Sequence, residues 1–283
     1  MNANQNSIQK HKSVSFNQTA AFQTFQNAHG EIPYGMTNDY MFRAVLQSNS
    51  KVLCSLICSL LHLSKKEVIS IEITNPIILG ESIKSKEFRL DIVVLLNDRT
   101  IINLEMQVAN KLNWTNRSIL YLCRSFDNPQ KGQDYLDAKP AIHIGFLDYT
   151  LFEEYPEFYA TYKLINIKNH HVYSDNFILS VVDLSKIDLA TDEDKAYHID
   201  YWAALFKAKT WEELKMIASK DKDIEEAAKA LFQFCTDEQV RKLCRDREEY
   251  YQDLANYERV ISQKDALIEK LLAENKELKR QTL

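Results

Sequence analysis

Hydrophobic and polar positions change their period several times along the chain. Tyr40, Met41, Phe42, Val45 and Leu46 follow Thr37-Asn38-Asp39, which predicts a helix capped at Thr37 or Asn38. Val52 to Leu61 is almost wholly apolar and predicts a second, buried helix. Alternation by two then takes over in Val68–Ile73, Phe88–Leu96 and Thr100–Val108, predicting strands. Asn97-Asp98-Arg99 is the expected hairpin turn between the last two. A helix is expected over Asn113–Tyr135, a strand over Ala141–Leu147, and weaker strands over Tyr162–Ile167 and Phe177–Leu184. From Asp192 onward the pattern is helical almost throughout. This order predicts an α/β protein with a mixed sheet covered by helices.

The final segment has a period of seven. Leu254, Ile261, Ile268 and Asn275 form one seam position, and Tyr250, Tyr257, Lys264, Leu271 and Leu278 the other. Ile opposite Leu favours two parallel strands, and one seam Asn can fix the register. The expectation is a coiled coil that makes the protein a homodimer; an amphipathic helix folded back on its own domain is the alternative. The expected organisation is a disordered Gln/Asn/Ser-rich leader over 1–30, a sheet domain over 31–190, a helical extension over 191–245 and a coiled-coil helix over 246–283.

Composition changes this picture little. Hydrophobic residues are 45% and charged residues 27%, and only five glycines and five prolines are present, which disfavours a turn-rich all-β fold. No run approaches the ~18 uncharged apolar residues of a membrane span, and the N-terminus lacks the apolar core of a secretory signal. The five cysteines are an odd number in apolar or helical surroundings, so reduced thiols and a cytoplasmic location are expected. Cys54 and Cys58, four apart on one helical face, suit a core better than a zinc site that lacks two more ligands.

The net charge of −5 is unusual for a nucleic-acid binder, but its distribution matters. Residues 31–150 carry 13 basic against 13 acidic side chains, while residues 151–283 carry 20 against 27. The acidity thus belongs to the C-terminal half, although no basic patch announces a strong grip on DNA.

Candidate chemistry lies in the hairpin. Asp91 interrupts the apolar strand Leu90-Asp91-Ile92-Val93, and Glu105 interrupts Ile102-Asn103-Leu104-Glu105-Met106-Gln107. Alternation puts Glu105 and Gln107 on one face. A turn centred on Asp98 places Asp91 directly across from Glu105, where like charges repel unless something compensates them. A divalent cation can do so; a solvated polar strand face is the plainer reading.

These two segments resemble the signature of the recombination-promoting nuclease and putative transposase family, within the PD-(D/E)XK nuclease superfamily. Asn38-Asp39 with Phe42, Arg117 with Tyr121, Gly132 with Tyr135, and Trp202 add to the likeness, which spans about residues 34–220. The resemblance implies a restriction-endonuclease-like sheet and a metal-dependent DNA endonuclease linked to recombination or mobile elements. It implies that Asp91, Glu105 and the backbone carbonyl of Met106 ligate Mg2+ or Mn2+, with Asp91, Glu105 and Gln107 as the catalytic set. Gln107 stands where the superfamily pattern has Lys; an amide orients a water but supplies no charge.

Asp39 is either a further acid at the metal or simply a helix-cap residue. Arg117, Tyr121 and Arg124, spaced to share a helix face, either contact DNA phosphates or comprise a core tyrosine and two solvated arginines. His143 is expected as a satisfied sheet histidine, and His170-His171 as a loop pair. No helix is loaded with base-reading Arg, Asn and Gln, so low sequence specificity is expected. A catalytically silent DNA-binding or transposase-accessory protein and a coiled-coil scaffold are the competing readings.

Overall fold

A computed structural model describes residues 25–75 and 91–281. Asn38 caps the first helix, α1 (Asp39–Ser48), its Oδ1 accepting from the backbone N–H of Tyr40 and Met41. Asn49 ends α1 and caps α2 (Ser50–Leu61) in the same way, through Lys51 and Val52. The two helices meet at 107°. No single helix among the described residues is long and apolar enough to cross a membrane.

Six strands form one sheet in the order β1-β2-β3-β4-β6-β5. They are β1 (Ile71–Ile73), β2 (Ile92–Leu96), β3 (Thr100–Gln107), β4 (Ala141–Leu147), β5 (Tyr159–Ile165) and β6 (Val172–Asp183). β4 lies parallel to β3 and β6, and the other pairings are antiparallel. The β3–β4 crossover carries α3 (Trp114–Phe126). Beyond the sheet come α4 (Asp192–Ala196), α5 (Ile199–Lys207), α6 (Trp211–Ala218), α7 (Lys222–Thr236) and the 44-residue α8 (Glu238–Gln281). A mixed α/β sheet flanked by helices is therefore present, as the hydrophobic pattern predicts.

One core joins the sheet to the helical region. Ile102, Leu104 and Met106 on β3, with Phe146 on β4, meet Phe42 of α1 and Trp202 and Phe206 of α5 in one buried cluster. The rings of Phe42, Phe146 and Phe206 lie 5.1–5.6 Å apart at their centroids. Residues 191–245 thus pack as part of the same body as the sheet.

Four expectations need correction. The predicted strand over Val68–Ile73 shrinks to Ile71–Ile73, because the N–H groups of Ile69 and Ser70 donate to the Asn97 side chain instead of a strand. The helix predicted over Asn113–Tyr135 stops at Phe126. Pro129 cannot continue it, and Asn128 Nδ2 takes the carbonyls of Ser125, Phe126 and Lys139. The end of the expected disordered leader over 1–30 is packed: Phe25 is buried against Trp211 and Phe232, while residues 1–24 lie outside the described residues. Of the predicted strand Phe88–Leu96, residues 88–90 also lie outside them. Finally, α8 is neither wholly folded back nor wholly separate. Val240, Leu243 and Cys244 are buried against the body, whereas Tyr257, Ile261, Ile268, Leu271 and Leu278 are exposed.

Candidate active site

The hairpin turn works through two residues with left-handed backbone, Asn97 (φ 53°) and Asp98 (φ 55°). Asn and Asp tolerate that conformation best after glycine. The turn sets the register Ile92↔Leu104, Val93↔Asn103 and Val94↔Ile102. One residue further along, the same register brings Asp91 opposite Glu105, as the hairpin reading of the sequence expects. Ile92 and Val94 point into the core with Leu104 and Ile102, so alternation turns Asp91 and Glu105 to the opposite face, toward α3.

Two arginines fix these acids. Arg43, fully buried on α1, donates from Nη1 to the Asp91 carbonyl and from Nη2 to the Asn75 carbonyl. Asn75 adds a hydrogen bond to the same Asp91 carbonyl at 3.1 Å and accepts from Val93 N at 2.8 Å. The start of β2 is thereby held by side chains where the ladder gives out. Arg43 is not among the residues expected at the site, although a lone arginine inside the apolar run Tyr40–Leu46 is a readable signal: so buried a guanidinium needs partners.

Glu105 is held from the other side. The residue is 4% exposed, and Oε1 accepts from Arg117 Nε at 2.7 Å, with Arg117 Nη2 at 2.5 Å. His143, which pairs with Asn103 across β3 and β4, has Nε2 3.7 Å from Glu105 Oε2. The Asn103 side chain meets His143 Nδ1 at 3.0 Å. Burial, with the Arg117 charge adding to it, pushes the His143 pKa down to about 3, so the ring is neutral. It is a buried sheet histidine placed directly behind the acid, but not the satisfied one expected: Nε2 has no hydrogen-bond partner among the described residues.

Asp39, Asp91, Glu105, Met106, Gln107 and Arg117 line one cavity of about 30 Å3, together with Arg247 and Tyr251 of α8. It adjoins a wider cleft of about 380 Å3 between the β3–α3 loop, the start of α1 and α8. Asp91 Oδ1 is buried with no hydrogen-bond partner among the described residues, an arrangement costly for a carboxylate unless a cation or water completes it. Gln107 sits at the end of β3 and donates from Nε2 to the Ala109 carbonyl at 2.9 Å. Tyr121 and Arg124 are not on the cavity wall. They continue along α3, with the guanidinium carbons of Arg117 and Arg124 at 5.0 and 5.7 Å from the Tyr121 ring centroid. Asp39 meets Arg247 Nε with Oδ1 at 3.0 Å, and Arg247 Nη2 and the Tyr251 hydroxyl with Oδ2.

A family model described as PD-(D/E)XK nuclease family transposase matches residues 36–260. The chain belongs to that family. The match reaches past residue 220, where the resemblance read from the sequence ended, and takes in the first half of α8. No curated protein and no solved structure gives a significant match. For a PD-(D/E)XK family member, the sheet and flanking helices are a restriction-endonuclease-like fold, and a nuclease or transposase-related role follows. Members of this superfamily usually use divalent metal ions.

The residues present fit such an ion. Among the described residues, no three His, Cys, Asp or Glu side chains converge as a metal cage. Mg2+, however, commonly takes only one or two carboxylates and keeps several waters. Two acids facing each other across a hairpin, one with a buried unsatisfied oxygen, at a cavity large enough for a water or two, supply that donor set.

Proposed function

We propose that this protein is a metal-dependent DNA endonuclease, acting as a homodimer with Asp91, Glu105 and Gln107 at each active site. The observation that carries the reading is the buried, unsatisfied Asp91 Oδ1 opposite Glu105 in one cavity. Asp91 and Glu105, with the Met106 carbonyl, would hold Mg2+ or Mn2+. When bound, the ion polarises the scissile phosphate and lowers the pKa of a water.

The chain supplies the remainder. Glu105 is paired with Arg117, whose side chain stands 37% exposed at the cavity and can turn toward a phosphate oxygen once the carboxylate has another counter-charge. Gln107 gives the amide that orients the attacking water. Arg124 and Tyr121 extend the phosphate-facing side along α3. The unpaired cysteines suit a reducing compartment such as the cytoplasm.

Dimerisation is assigned to the exposed seam of α8. Beyond Tyr251 the helix continues for about 45 Å, carrying Leu254, Ile261, Ile268, Leu271 and Leu278 on one stripe. A second copy of the same seam buries that stripe and sets two active sites apart at a defined distance, which cutting both strands of a duplex requires. A catalytically silent DNA-binding protein is the second reading, favoured by Gln107 in place of lysine and by its side chain being tied to the Ala109 carbonyl.

Calorimetric titration with Mn2+ tests the metal centre, and plasmid cleavage separates the two readings. Binding to the native chain that is lost in Asp91→Asn supports the metal centre, whereas equal binding by both forms places the ion elsewhere.

A further inference from the structure

The C-terminal helix enters the active site before it reaches its exposed seam. Arg247 and Tyr251 are on the last turns of α8 that touch the body, and both line the cavity that holds Asp91 and Glu105. Arg247 is one heptad ahead of Leu254, so the stripe that packs on the body is the one that becomes the seam. We propose that Arg247 is a phosphate-contacting residue of the site, set in place by Asp39 and Tyr251. The C-terminal helix is then part of the catalytic centre as well as a dimerisation arm. This assignment rests on the nuclease reading above and gives Asp39 the task of holding an arginine in place of that of holding the ion.

The geometry is that of a prepared oxyanion contact. Asp39 takes the Nε and Nη2 edge of the guanidinium, the Tyr251 hydroxyl accepts from Nη2 at 2.8 Å and donates to Asp39 Oδ2 at 2.7 Å, and both interactions fix the plane. The rings of Tyr250 and Tyr251 flank the guanidinium carbon at 5.4 and 4.8 Å. Burial, then the Asp39 charge, pushes the Tyr251 pKa up, so its hydroxyl stays a neutral donor. A largely buried ion pair contributes little net stability by itself, so stability is a poor reason for placing one at the wall of an acid-lined cavity. An arginine whose plane is already fixed at the cavity wall can meet a phosphate oxygen with little reordering.

The placement also bears on the charge problem. The chain has no basic patch in sequence, yet Lys111 from the β3–α3 loop, Arg117 from α3 and Arg247 from α8 converge around the cavity and its cleft. Lys111 Nζ lies 5.7 Å from the Tyr251 ring centroid, bringing that loop to the same aromatic group. The same walls carry Asp39, Asp91, Glu105 and Glu248, with Arg117 paired to Glu105 and Arg247 to Asp39, so these cations can face a duplex backbone once a bound metal ion offsets the acids. The family match, running through residue 260, takes in Arg247 and Tyr251 with the sheet.

The test uses the full-length chain and a short fluorescein-labelled DNA duplex, with binding followed by anisotropy in EDTA across a salt series. Each lost phosphate contact lowers the slope of log K against log salt by about 0.9. Arg247→Gln should lower the slope by that amount and cut kcat on plasmid DNA by about 100-fold. Arg247→Lys should restore the slope but not kcat, because an ammonium lacks the planar fork. Tyr251→Phe, which removes only a hydroxyl, should keep the slope and lose about tenfold in kcat. Circular dichroism and light scattering confirm that each variant is folded and dimeric. A native slope in Arg247→Gln overturns the assignment. If the native chain binds DNA but cuts nothing, the nuclease reading falls while the slope still decides Arg247; if it binds no DNA, both fall.

Discussion

The indole of Trp114 lies where a side chain at position 145 would have to be: a Cβ on Gly145 would come within 2.0 Å of Trp114 Cζ2. Gly145 pairs with Glu105 across β3 and β4, and Trp114 opens α3. The bare strand therefore lets α3 settle against the sheet, and one turn later Arg117 reaches Glu105. The distance between a glycine and a tryptophan thus helps set the ion pair at the candidate active site.

Gly145→Ala should disturb that arrangement. The methyl has no room unless Trp114 and the start of α3 move, so a loss of about 1–3 kcal/mol is expected from overpacking. Urea unfolding measures it, and a shift in tryptophan fluorescence should accompany it. Unchanged stability would mean that α3 is not seated by this contact.

Arg43→Met should be costly out of proportion to its size change. It leaves the Asn75 carbonyl without its buried donor, at about 1–3 kcal/mol, and leaves the Asp91 carbonyl with the Asn75 amide alone. Because those carbonyls hold the start of β2, Mn2+ affinity should fall along with the melting temperature. A variant with a lowered melting temperature and native metal binding would separate Arg43 from the site.

His143 gives the protein a pH signature. Its pKa is about 3 when folded and about 6.5 when unfolded, so the unfolded chain binds the extra proton between those values. The depressed folded value means its contribution is fully present above about pH 6.5 and is lost as pH falls toward 3. The slope should be about 1.4 kcal/mol per pH unit through that window. His143→Gln should flatten the profile of unfolding free energy against pH; a profile identical to the native one would contradict the buried neutral ring.

Much of the fold was legible because hydrophobic period and turn chemistry agree. The hairpin register followed from Asn97-Asp98, and with it the opposition of Asp91 and Glu105 and the face carrying Gln107. The strand Ala141–Leu147 was read to the residue, its ends marked by Pro140 and Asp148. What failed was governed by single side chains acting at a distance. Asn97 took the N–H groups of Ile69 and Ser70 from a strand, and Asn128 with Pro129 ended α3 early. Of the cavity wall, the hairpin residues, Arg117 and Asp39 were named from the sequence, but the groups that reach them from afar were not. Arg43, Arg247 and Tyr251 reach the acids from positions 48 to 160 residues away in sequence, and no local pattern joins them to the hairpin. The period-seven pattern also concealed that Arg247 and Tyr251 belong to the cavity, because the docking face and the seam are one stripe.

The exposed seam should control assembly without touching the body. Ile261→Glu with Ile268→Glu puts like charges into a two-stranded interface. Light scattering should show a dimer for the native chain and a monomer for the double variant, with the thermal transition of the sheet domain retained. A native chain that is monomeric at all concentrations would remove the two-site geometry from the proposal.

The most direct measurement is cleavage of supercoiled plasmid by the purified chain with Mg2+, beside an EDTA control and Glu105→Ala. A metal nuclease centred on the hairpin gives nicked or linear DNA with the native chain and neither product in the two controls. Cutting that survives Glu105→Ala would show that the reacting phosphate lies elsewhere, and a folded, dimeric chain that cuts nothing would leave the fold in a DNA-binding or scaffolding role.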